Sequence, residues 1–148
     1  MCASGFIEAT ANELTERDGQ GNALLRFNAI LAAAGAPEFD QEDTTWQGAK
    51  TLLDLRNRLV HYKHDWLDSG TKDMVGANNL YGSALYPRLQ TAFRFLPATH
   101  HYGPRFLSPE CAVWAINTAT AFLDKFYMRV GQTPNHEHLR HRIEVQRP

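Results

Sequence analysis

Residues 46–64 read WQGAKTLLDLRNRLVHYKH, and the fold follows from how their apolar side chains recur. Set at about 100° per residue, the angular step of an α-helix, Leu55, Leu59, Leu52, Ala49, Val60, Leu53 and Trp46 fill one broad arc in that order. Arg56 falls inside this arc, between Leu52 and Ala49. Asn57 and His61, spaced i and i+4, share a stripe at its edge with Lys50 and Asp54, while Arg58 points further toward solvent. An arginine left unpaired in a dry interior is strongly destabilising, so this one needs company. Three environments would supply it: a carboxylate of the same chain, a second subunit packed on this face, or a bound anion such as phosphate.

Working outward, the chain before this helix predicts two shorter ones. Ile7, Ala11 and Leu14 recur at helical spacing from about Gly5 to Arg17, and Asp18-Gly19-Gln20-Gly21 then breaks the pattern. Asn22 is a fitting N-cap for a second helix carrying Leu24, Phe27, Leu31 and Ala34, which Gly35 and Pro37 end. Asp40, with Asp43 three residues on, offers a start for the central helix, expected to be the longest and to stop near His64 or Asp65. Beyond it, Leu85, Leu89 and Phe93 with Pro87 in the first turn predict a short helix from about Leu85 to Phe95. Ser108-Pro109-Glu110 is a strong start for a last helix, in which Val113, Ile116, Ala119, Leu123, Phe126 and Val130 form the apolar stripe up to Gly131. The expected fold is all-α: a bundle of four or five helices over residues 1–131, with an irregular, loop-rich insertion at about 66–107 and a polar tail over 132–148.

Composition bounds the function classes. A domain of 148 residues buries enough surface to fold without metal or disulfide, and Cys2 and Cys111 lie too far apart in the chain to suggest a disulfide framework. The opening MCASGFIEATANELTER is too acidic for a signal peptide, and no apolar run reaches membrane-spanning length, so a cytoplasmic protein is expected. Charge is uneven: residues 1–43 hold two basic and eight acidic residues, net −6, and residues 44–148 hold thirteen and eight, net +5. No acid occurs between Asp73 and Glu110, where Arg88, Arg94 and Arg105 alternate with Tyr81, Tyr86, Phe93, Phe95, Tyr102 and Phe106. Cations interleaved with aromatics in this way suit single-stranded RNA; the plainer assignment is aromatics in a core and arginines at its rim.

The run Arg56-Asn57-Arg58-Leu59-Val60-His61 resembles the signature of the HEPN superfamily of small helical domains: Arg, four to six residues, then His, with a polar residue often directly after the Arg. Four residues intervene here and Asn57 takes the polar place. The resemblance covers Asn22 to Lys63 and, more loosely, Ser108 to Gly131. It implies a metal-independent endoribonuclease, of the kind found among toxins and antiviral defence components, in which two copies of the motif meet across a homodimer. Arg56 would hold the phosphate, His61 would act as acid or base, and Asn57 would orient one of them. Some toxin members carry a modifiable tyrosine two residues after the His; that place is Lys63 here, and Tyr62 comes one too early.

The chemistry suits the residue types. An imidazole titrates near neutrality and can move a proton between oxygens. RNA brings its own nucleophile, the 2′-OH, so no metal or protein nucleophile is required, and an arginine stabilises the charge of the phosphorane. The products would be 2′,3′-cyclic phosphate ends. Arg58, Lys63, Arg88, Arg94 and Arg105 are the candidate RNA-binding cations. No cofactor or metal is expected, because His61 with His64, His100 with His101, and the histidines at 136, 138 and 141 repeat no familiar ligand spacing. The alternative is a catalytically silent HEPN-like interaction or RNA-binding module, and an antitoxin or defence partner protein would separate the two.

Overall fold

The computed structural model describes residues 3–15, 22–60, 85–92 and 108–140, and these are all-α. Five helices follow in order: α1 Ala3–Thr15, α2 Ala23–Ala33, α3 Thr44–Val60, α4 Leu85–Ala92 and α5 Pro109–Val130, with a single 3-10 turn at Glu137–Leu139. The expected end of the central helix near His64 or Asp65, that of α4 near Phe95, and most of the insertion at 66–107 lie outside the described residues. Among the described residues α3 accounts for 17 and α5 for 22, and the expectation that α3 is the longest rests on residues after Val60 that lie outside them. Helix α5 is well defined at its ends. The Ser108 hydroxyl accepts from the Cys111 amide at 3.1 Å and Pro109 opens the first turn, and no breaker intervenes before Gly131.

Helix α3 begins one residue past Asp43, so this residue rather than Asp40 is its cap. Asp43 Oδ1 accepts from the Thr45 amide at 2.8 Å and from Trp46 at 3.4 Å. Asn22 caps α2 as expected, accepting from the Leu24 amide at 3.0 Å. Both α2 and α5 end on a glycine with positive φ, Gly35 at 66° and Gly131 at 68°. In each the next residue's amide reaches back five positions, Ala36 to the Leu31 carbonyl at 2.9 Å and Gln132 to Tyr127 at 3.0 Å.

Helices α3 and α5 form the central pair, and three points along it fix their direction. Asp43 meets Lys125, Gly48 lies where a Cβ would stand 3.1 Å from Thr118 Cγ2, and Leu55 shares a cluster with Cys111. Position rises along one helix as it falls along the other, so the pair is antiparallel. Helix α1 packs on α2, α5 and α3, and α4 packs on α3.

Among the described residues the buried side chains form two clusters. The larger joins Ile7 and Ala11 of α1, Leu24, Phe27 and Leu31 of α2, Trp46 to Leu53 of α3, and Phe122, Leu123 and Phe126 of α5. Each such side chain is worth about 1.5–3 kcal/mol when taken from water. Phe39, in the α2–α3 connection, stacks on Phe122 with centroids 4.9 Å apart. The Asn28 amide holds it from both sides, accepting from its N–H at 2.9 Å and donating to its carbonyl at 3.1 Å. The smaller cluster gathers Leu55, Leu85, Leu89 and Cys111, with Trp114 packed against both clusters.

Candidate functional site

Arg56 belongs to the last third of α3, and its environment is the first of the three that would satisfy it. Nη2 lies 3.5 Å from Glu8 Oε2 of α1, with both side chains about one-third exposed, 33% and 31%. Nη1 donates to Asn57 Oδ1 at 2.9 Å. The arginine therefore emerges from the apolar arc between α1 and α3, held by a carboxylate on one side and by the amide of the next residue on the other. Asn57 itself is exposed. His61, Lys63, Arg94, Arg105 and the Arg58 side chain lie outside the described residues.

Arg88, the remaining candidate cation, is engaged within the fold. From α4 it donates through Nη2 to Asp54 Oδ2 of α3 at 2.8 Å, and Nη1 lies 3.5 Å from the Thr51 hydroxyl. This ties the short helix to the central one and explains why Thr51, outside the apolar arc, is buried. Half-exposed and already paired, Arg88 is an anchor between elements first and a weaker candidate for phosphate. Arg56 and Arg88 thus each meet an acid of the same chain, Glu8 and Asp54.

A second polar cluster sits where the chain doubles back after α5, and the sequence did not announce it. His136, in the stretch expected to be a polar tail, is 2% exposed. Its Nε2 lies 2.9 Å from Asp124 Oδ1, where an ionised carboxylate requires an N–H that donates. Arg140 grips the same carboxylate with two bonds, at 2.9 and 3.1 Å, and reaches Glu137 at 2.7 Å. The imidazole packs edge-on against Phe6 of α1 at 5.3 Å and against Tyr127 of α5 at 6.5 Å. Burial pushes the Asp124 carboxyl up, but hydrogen bonds from Arg140 and His136 and their charge bring it below its ordinary value. Tyr127 is raised by burial and by the negative Glu13. Among the described residues, His136 Nδ1 and Tyr127 Oη have no hydrogen-bond partner; the Asn135 backbone approaches the phenol without completing a bond. The spacing of His136 and Arg140, i and i+4, was the available signal. This cluster clasps the segment after Gly131 onto α1 and α5.

Among the described residues no three His, Cys, Asp or Glu side chains are grouped to hold a metal ion, and no described helix is long and apolar enough to cross a membrane. The chain matches no protein-family model, and comparison with curated proteins and with solved structures finds no match.

Proposed function

We propose that this protein is a metal-independent endoribonuclease of HEPN type, acting through Arg56, Asn57 and His61. One observation carries the reading furthest: Arg56, on a helix face otherwise given to the core, stays one-third exposed while Asn57 steadies its guanidinium at 2.9 Å. That is the orienting role the motif gives the polar residue after the arginine. His61 follows Asn57 by four residues in the sequence, the i, i+4 spacing. The imidazole takes the proton of a 2′-OH, the oxygen attacks the adjacent phosphorus, and the leaving 5′-oxygen receives a proton in return. Arg56 stabilises the phosphorane between these steps. A homodimer bringing two motifs together completes the proposal, as does a toxin or defence setting in which a partner protein restrains the activity.

The test is cleavage of single-stranded RNA in the presence of EDTA. Products carry 2′,3′-cyclic phosphate and 5′-hydroxyl ends, and DNA survives for want of the hydroxyl. Arg56→Ala and His61→Ala each lose activity by about 10²-fold or more, and Asn57→Ala loses less. Cleavage that survives His61→Ala is a contaminant's.

The second reading, a silent interaction or RNA-binding module, has its own observation. Glu8 and Asp54 meet Arg56 and Arg88, which is how structural arginines are satisfied. A folded protein that cleaves no RNA favours it.

A further inference from the structure

Glu8 stands on α1 between Ile7 and Ala11, both fully buried, so its backbone is fixed while its side chain reaches the edge where α1 meets α3. There its carboxylate lies 3.5 Å from Arg56 Nη2. The pair is long beside charge-assisted bonds of about 2.7–2.9 Å, and both members are open to solvent over about a third of their surface. A phosphate oxygen approaching Arg56 from solvent meets a guanidinium whose Nη1 is turned to Asn57 and whose Nη2 faces Glu8. It must bond the same cation while a second negative charge stands within a few ångströms, and like charges that close repel. Phosphate offers the guanidinium two oxygens in a fork geometry that a carboxylate at this distance does not complete. Exchange therefore requires only that the Glu8 side chain swing away from the arginine, with α1 left in place.

We infer that Glu8 is a built-in competitor for phosphate at Arg56 and sets how tightly this site holds RNA. The inference rests on the reading of Arg56 as the phosphate-binding residue.

The experiment measures binding of a labelled 2′-O-methyl oligouridine, which has no free 2′-hydroxyl and is not cleaved, to the full chain and five variants. Glu8→Gln keeps the shape and removes the charge; Glu42→Gln removes the same charge at an exposed position before α3 and controls for net charge; Arg56→Ala and the double variant Glu8→Gln/Arg56→Ala complete a cycle. Glu8→Gln tightens binding about two- to fivefold, the factor an exposed ion pair of ordinary strength represents. Glu42→Gln moves it less, and the Glu8 effect disappears when Arg56 is alanine. Glu8→Asp, whose shorter side chain cannot reach as far, moves affinity in the same direction and guards against a folding defect in the glutamine variant.

A Glu8→Gln variant that binds no better than Glu42→Gln, while Arg56→Ala alone weakens binding, overturns the competitor role and leaves the RNA site standing. Weaker binding by Glu8→Gln also overturns it, showing that the carboxylate positions the arginine. Binding indifferent to Arg56→Ala removes the reading of the site, and the competitor with it.

Discussion

Asp43 uses its two oxygens for different purposes: Oδ1 caps α3, and Oδ2 faces Lys125 and Arg129, one turn apart on α5. Arg129 also lies 4.2 Å above the Phe39 ring and donates to the Pro37 carbonyl at 3.0 Å. The Lys125 hydrogen bond is the largest cause holding the Asp43 carboxyl down, from its ordinary 3.8 to about 2. A folded value below the unfolded one means stability fully present above the unfolded value and lost as pH falls through the folded one. The shift alone would be worth about 2.4 kcal/mol. With Lys125 a third exposed to solvent, we expect roughly half of that. Asp43→Asn keeps a good cap and loses the charge; urea unfolding at neutral pH shows a loss of about 1 kcal/mol, and the difference from wild type closes between pH 3.8 and about 2. Asp43→Ala also removes the cap and costs a further 0.5–2 kcal/mol or so at every pH.

At the scale of the elements, the antiparallel α3–α5 pair packs tightly at Gly48, where a Cβ would sit 3.1 Å from the Thr118 methyl. Alanine gains about 0.8–1.0 kcal/mol over glycine in a helix, and the tight contact cancels that gain unless Thr118 yields. Gly48→Ala is therefore near neutral in chemical denaturation, and in a Thr118→Ser background, where the methyl is gone, it stabilises by nearly the full helical preference. The helices themselves were legible in the sequence wherever a cap and a periodic stripe agreed, as at Asn22, at Ser108-Pro109 and at the two terminal glycines. What was not legible depends on partners far off in the chain. That Arg56 needs a partner follows from its place on the wheel; that the partner is Glu8, on another helix, does not. His136 looked solvated because its neighbours in sequence are polar, whereas Asp124, Phe6 and Tyr127 reach it from two other elements. Arg88 read as a free cation because nothing local shows that Asp54 stands opposite it. Periodicity gives each helix its inner face, but the choice of which polar groups meet between faces is made by packing.

For the molecule as a whole, the consequence of dividing the buried side chains into two clusters is a gradient of cooperativity. α3 runs from one to the other: Trp46 to Leu53 belong to the larger, Leu55 to the smaller, and Arg56 follows immediately. Parts of a protein packed in separate clusters can open at different free energies, some below the global transition. Native-state hydrogen exchange will show amides of α4 and of the last turn of α3 opening by a sub-global route, less sensitive to denaturant than the amides of Leu52, Phe122 and Leu123. Coincident opening energies throughout would mean that Trp114, packed against both clusters, welds them into one unit. A gradient would mean that the arginine of the candidate site rides on the softer end of a helix whose other end is rigid, so that the site can rearrange around a bound strand without the rest of the domain giving way.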